Sequence, residues 1–420
     1  MSNRGPLAPP EAARTRWRPP RRSPDRAADR GGDEPGRAQR ALARADRPVV
    51  VAAVAGTAVL VFACARLALV GDGDITTFIV AGADFTDPAT TGDVRVVGGT
   101  GYDGQFAYRL ALDPLDLEGD RNGIEVDSAL RWGRIAYPAL AWLAAGGQAE
   151  AVPAALVAVN VAAAAVVAWL AALAARHSGV HAAWGLLVAG WAGFVFTIAR
   201  DLTEVVAAVG VVGGLVAWQQ RRPGWAATAL TVAVLAREGT LVVVAALAVV
   251  RLAAWVRGRE RPSTADVAWV VPVVAFGAWQ AWCRLATGTV PVLTSLEDHV
   301  ADPFVGAGAD DGWLGEAAGH LAALKLAQLA VLMGSLVLAV LAARRGRVDP
   351  TVVVALGLAV AVALRVWGPV WNDWAGFRGF TDVYVLAAIA ALAGRRHLGW
   401  LALAVVPVWV ATAGHMAVTV

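Results

Sequence analysis

Charge is scarce in this sequence. Only 16% of the residues are Asp, Glu, Lys or Arg, 58% are hydrophobic, and the mean hydropathy is +0.56. Soluble domains draw about a quarter of their residues from the charged set, so water is excluded as the solvent of most of this chain. Cysteine is nearly missing: Cys64 and Cys283 are the whole supply. Each lies inside an apolar run, which excludes a disulfide framework and a Cys/His metal cluster. There is no Gly-x-Ser-Gly and no His-Glu-x-x-His string, so the arrangements of a membrane protease are lacking. No repeat of fixed period is present, and low complexity is confined to the N-terminal tail.

That tail, residues 1–46, is rich in Pro, Gly, Ala and Arg and shows no apolar periodicity. Such a segment gains too little burial to offset chain entropy and is expected to be a disordered, basic cytoplasmic tail. The apolar segment that follows is too long for the core of a secretory signal and lacks a small-residue cleavage site, so it is read as a permanent anchor.

Residues 47–420 are expected to form the transmembrane domain. A helix needs about 20 apolar residues to cross a bilayer, and such runs lie near 48–70, 150–175, 180–199, 201–219, 264–287, 318–343, 350–367, 380–394 and 398–418. The stretch 224–250 is too long for one span and carries Arg237 and Glu238 at its middle, which predicts two short helices in a hairpin. The total is about ten spans, an all-α polytopic bundle.

Orientation follows from arginine, which cytoplasmic joints retain. Arg221 and Arg222, then Arg251, Arg257, Arg259 and Arg261, then Arg344, Arg345 and Arg347, then Arg395 and Arg396 all fall on one side with the tail if the hairpin is granted. The opposite joints are the loop 71–135, the turn at Arg200 and Asp201, the hairpin tip, residues 287–319 and residues 367–379. Chemistry is expected there, at the extracytoplasmic face of the cell membrane. The loop 71–135 is acidic and ends in an apolar run, 139–145, that is too short to span and suits the interface.

The most distinctive string is Gly101-Tyr102-Asp103-Gly104-Gln105-Phe106, and it is followed by Arg131-Trp132-Gly133-Arg134-Ile135-Ala136-Tyr137-Pro138. With Arg200-Asp201-Leu202-Thr203-Glu204 and Arg237-Glu238, these segments resemble a group of bacterial membrane proteins related to the GT-C glycosyltransferase superfamily. The resemblance covers most of the chain after about residue 46, through short motifs, and speaks to the fold more than to the substrate. It implies a GT-C-like bundle whose first extracytoplasmic loop carries short interfacial helices. It further implies transfer of a sugar from a polyprenyl-phosphate carrier to a cell-envelope acceptor, with inversion, by a carboxylate in that loop. Asp103 occupies the matching position. A carboxylate at the interface can take the proton of an attacking hydroxyl as general base; the plainer account is that Asp103 caps a helix over 104–112.

The remaining candidates follow from the chemistry such a site needs. A departing lipid phosphate calls for guanidinium groups. Arg131 and Arg134, three apart on one helix face, are the first choice, although snorkelling to headgroups explains them equally. Arg237 interrupts an apolar stretch and, with Glu238, is placed at the hairpin tip beside the carrier-lipid cavity. Arg378 is the fourth phosphate candidate. Tyr102 and Gln105 flank the acid as substrate contacts. Trp371 and Asp373, in the indole-rich loop 367–378, form a conceivable sugar platform, although an aromatic belt is the more economical account. Asp201 and Glu204 have the spacing of a capping box, which accounts for them without chemistry; Arg200 beside them can still reach a phosphate. Arg66, Arg284 and Arg365 stand near outer ends of spans, against the usual bias. Asp72 and Asp74 could share a divalent cation, or be an ordinary acidic pair at the membrane edge. No soluble cofactor and no nucleic-acid partner are expected, and the lipid bilayer is the solvent. Two rivals stand beside the enzyme: a transporter or lipid flippase, which would put charge at the bilayer midplane and show related halves, and a non-catalytic membrane assembly protein.

Overall fold

A computed structural model describes residues 46–294, 320–364 and 378–419. The segments bearing Trp371, Asp373 and Arg365, and the tail 1–45, lie outside the described residues. The described residues belong to one compact unit of the chain. They form a polytopic helical membrane bundle of fourteen α-helices, with strand reduced to two residue pairs. Six helices are long and apolar enough to cross a membrane, or seven if a bent pair counts as one span.

The chain begins with α1 (Pro48–Leu69), then a long loop holding β1 (Ala81–Gly82), β2 (Val96–Val97), α2 (Gly104–Leu112) and α3 (Ala136–Ala144). Next come α4 (Val152–His177), the short α5 (Leu186–Ala189), α6 (Ala192–Ala199), α7 (Glu204–Gln219), α8 (Pro223–Ala236) and α9 (Leu241–Val256). The rest comprises α10 (Val267–Thr287), α11 (His320–Arg344), α12 (Pro350–Ala363), α13 (Thr381–Gly394) and α14 (Leu398–Met416). Local sequence sets several ends. Pro48, Pro223 and Pro350 open their helices, where the missing N–H costs nothing, and the Asp349 carboxylate accepts from Thr351 N at 2.8 Å. Gly288 closes α10 in the left-handed conformation, at φ 78°.

Two helices are innermost. Twelve residues of the sixteen in α7 and twelve of the fourteen in α13 are buried. A Cβ at Gly210 would meet the Ala229 carbonyl oxygen at 2.5 Å, so small residues let α7 and α8 approach to backbone contact. The outer helices turn apolar side chains outward, as Val61 on α1, Val274 on α10 and Leu403 on α14 do at 63%, 63% and 67% exposure. In lipid such faces need no protein partner.

The stretch 224–250 forms two helices, α8 and α9, broken at Arg237, whose backbone is extended at φ −157°, ψ 123°. The run 180–199 is not one straight helix. It bends by 56° between α5 and α6, where Trp191 takes an extended backbone, stacks on Tyr384 at 4.4 Å and donates its indole N–H to Thr381 Oγ1 at 3.1 Å. Tertiary anchoring of one indole overrides the apolar continuity of the run. The capping box expected of Asp201 and Glu204 does not form. Helix α7 starts at Glu204 itself with Thr203 as its N-cap, while Asp201 sits in the left-handed region at φ 47°.

Order in the chain now fixes where functional ends meet. Helices α7, α9 and α13 begin, and α8 ends, at the same end of the bundle as the 71–135 loop: Glu238 pairs with Arg134 of that loop, Arg237 with Asp382, and Glu204 with Arg378, which itself pairs with Asp103 of the loop.

Candidate functional site

The loop that bears Tyr102 and Asp103 is held by backbone. Strand β1 pairs with β2 in parallel, Ala81 also bridges Gly101, and Tyr102 N donates to Val80 O at 2.8 Å. Gln105 supplies the brace: its Oε1 accepts from Gly82 N and Thr86 Oγ1, both at 3.0 Å, and its Nε2 donates to Thr100 O at 2.9 Å. At 1% exposure its amide is committed to shaping the loop. Asp74 is likewise spent. Its Oδ1 accepts from Thr76 N at 2.9 Å and caps a short turn over Ile75–Phe78, while Asp72 sits in a left-handed turn at φ 51°.

Asp103 is the residue before α2, yet its side chain makes no cap hydrogen bond. It turns instead to arginine. Arg378 Nη2 donates to Asp103 Oδ2 at 2.7 Å, Arg131 Nη1 stands 3.0 Å from the same oxygen, and Arg134 Nη1 stands 3.9 Å from it. Burial alone would raise the Asp103 pKa, but the three guanidinium groups outweigh it and hold the carboxyl well below the usual carboxylate range. Arg131 lies in the last turn of a 3-10 segment, Ala129–Gly133, and Arg134 directly follows it. In such a turn residues three apart eclipse, so both reach one acid.

Each of these cations has a further partner. Arg131 forks onto Asp127 with two bonds of 2.8 Å, and Arg134 forks onto Glu238 at 2.7 and 3.1 Å. Arg237 lies 3.7 Å from Asp382 and donates to the Arg378 carbonyl at 3.2 Å. Arg378 Nε lies 3.8 Å from Glu204 Oε1. Tyr102 receives guanidinium groups at its ring from Arg378 and Arg200, at 5.0 and 5.3 Å from the centroid, and Arg200 also faces Phe196 at 4.2 Å. Arg66, on α1, is fully buried and donates to the Met416 carbonyl at 2.6 Å, so it fastens α14. Arg284 is exposed near the end of α10.

Asp103, Arg131, Arg134, Asp201, Glu204 and Arg378 are polar walls of one open cleft, and Phe106, Leu110, Pro138 and Leu202 are apolar ones. The structure therefore gathers Tyr102, Asp103, Arg131, Arg134, Arg200, Arg237, Glu238 and Arg378 around one place. It adds Asp127 and Asp382, which no motif in the sequence marks, and Glu204 and Asp201, whose spacing had assigned them to a helix cap. For Glu204 and Asp201 the sequence signal was a spacing that a helix cap explains in full. An acid shared by several cations beside an apolar wall is suited to exchange with an anion that carries a larger organic body. No family model matches this chain, and no curated protein matches it.

Proposed function

We propose that the chain is a GT-C-type membrane glycosyltransferase that takes a sugar from a polyprenyl-phosphate carrier and transfers it, with inversion, to a cell-envelope acceptor. One observation carries the reading: three guanidinium groups converge on a single carboxylate in a cleft at one end of a membrane bundle. In this reading Asp103 holds the place of an anion. When a donor phosphate enters, Arg378, Arg131 and Arg134 turn to its oxygens, and Asp103 loses the charges that suppress its basicity. The acceptor oxygen then forms its bond to the sugar C1 as its proton passes to Asp103. The C1–O bond to phosphate breaks on the opposite face, and its electron pair leaves with the polyprenyl phosphate, neutralised by the arginines. Arg237 and Glu238 place the α8–α9 break against this site, and Tyr102 keeps two guanidinium groups oriented. A divalent metal is not needed for this charge balance, and Asp72 and Asp74 are not assigned to one. The N-terminus belongs on the cytoplasmic side and the cleft on the outer face, because the arginine-rich joints lie at the far ends of α7, α9 and α13.

The extent of pairing favours a second reading. Arg131, Arg134 and Arg237 each already have a carboxylate of their own, as suits a non-catalytic protein whose ion network serves assembly. Reconstituted protein separates the two. Labelled sugar should pass from a polyprenyl-phosphate donor to envelope glycan in proteoliposomes, and Asp103→Asn should abolish it. Transport of label without covalent product would instead place the chain among transporters or flippases.

A further inference from the structure

Among the described residues, Asp201 is the carboxyl of the cleft wall that makes no ion pair with an arginine. It is fully buried, it sits in the left-handed region at φ 47°, and its Oδ2 has no hydrogen-bond partner among the described residues. Both features are costly. A left-handed backbone strains a residue with a Cβ, and a buried oxygen without a partner forfeits the solvation it had in water. Glycine would remove both costs at this position, so the carboxyl has to be explained.

Its other oxygen shows which form the group takes. Tyr137 OH lies 3.4 Å from Asp201 Oδ1 and 3.0 Å from the Leu156 carbonyl, and it accepts from Asn160 Nδ2 at 2.8 Å. The phenol has one proton, and the shorter contact claims it for Leu156. Asp201 Oδ1 is left with the longer share of that donor, and a protonated Asp201 can instead give its own proton to the phenol oxygen. Burial pushes the Asp201 carboxyl well above the usual carboxylate range, against the pull of Tyr137 and Arg66. Asp103 and Asp201 thus stand in one cleft as opposites, one an anion held by cations and the other shifted by burial toward its neutral form.

We propose that Asp201 is a ligand-binding residue whose Oδ2 meets a hydroxyl group of the cleft's occupant, so that the site takes a hydroxylated phosphate in preference to a bare one. The proposal rests on the reading that the cleft binds a phosphosugar, and it adds the contact that reads the sugar. A hydroxyl both donates and accepts, so it completes Oδ2 whichever carboxyl oxygen bears the proton. In its neutral form Asp201 does this without repelling the phosphate that the arginines hold.

The test uses the full chain in detergent micelles, titrated calorimetrically with inorganic phosphate and with a panel of hexose 1-phosphates. Wild type should bind at least one hexose 1-phosphate more tightly than phosphate. Asp201→Gly, which suits the left-handed backbone and whose folding is checked by thermal unfolding, should weaken that hexose phosphate by about tenfold or more, as the loss of one buried hydrogen bond does. Its affinity for phosphate should stay within about twofold of wild type, and Asp201→Asn, which keeps both a donor and an acceptor, should restore most of the loss. Equal weakening of both anions, or an unchanged hexose phosphate affinity, overturns the role of Asp201 while leaving the phosphosugar reading standing. Binding of neither anion by wild type overturns both.

Discussion

Arg134 and Glu238 are 104 residues apart in sequence and joined by two hydrogen bonds of 2.7 and 3.1 Å. This planar fork ties the loop after α1 to the break between α8 and α9, and it keeps Arg134 within 3.9 Å of Asp103. The pair is partly open, at 17% and 21% side-chain exposure, so its worth is moderate. A double-mutant cycle with Arg134→Gln and Glu238→Gln should return a coupling of about 0.5 to 3 kcal/mol in stability. Additive effects within error would mean that the fork does not hold the loop and the α8–α9 break together.

Gly104 tests how tightly the acid is placed. A methyl group there would meet the Arg200 carbonyl oxygen at 2.3 Å and the Ile79 carbonyl oxygen at 2.7 Å. Both obstacles are backbone, so the start of α2 must shift. Gly104→Ala should cost about 1 to 3 kcal/mol, visible as a lower melting temperature in detergent, and should reduce sugar transfer even though no charge is altered. Wild-type melting and activity would contradict the close approach.

Asp201 makes a prediction in pH. Its pKa is raised in the folded protein, so above about pH 4, where an unfolded Asp ionises, the unfolded state gains relative to the folded one until the folded pKa is reached. The stability that Asp201 contributes is therefore complete at acid pH and is lost as pH rises. Asp201→Asn removes that titration. The melting temperature of the variant relative to wild type should climb between pH 4 and pH 7, with a slope of at most about 1.4 kcal/mol per unit. A constant difference would show that Asp201 is ionised like any surface acid.

How much of this was legible in the sequence depends on range. Apolar runs announced most helices because a bilayer span is a local property, and the charged pair Arg237-Glu238 announced the break between α8 and α9 for the same reason. The start of α2 beside Asp103 was legible too. The ion partners were not, since Asp127 can be guessed from a separation of four while Glu238 and Asp382 reach their arginines only through the packing of α8, α9 and α13. Gln105 reads as a substrate contact because its neighbours do, and its duty to the β1 loop leaves no local mark. Asp201 and Glu204 matched a helix cap by spacing, and only the positive φ at Asp201, which moves the helix start to Glu204, shows that the spacing was coincidental. The bend between α5 and α6 left no local mark, because Trp191 takes its partners from α13.

If Asp103 competes with the donor phosphate for the arginines, removing its charge has opposite effects on binding and on chemistry. Donor affinity and single-turnover sugar transfer should therefore be measured together on Asp103→Asn, in proteoliposomes loaded with polyprenyl-phosphate sugar. The account predicts a donor bound at least as tightly as by wild type, because three guanidinium groups have lost their resident competitor, and no transfer. Undiminished transfer, or a variant that no longer binds the donor, would contradict it.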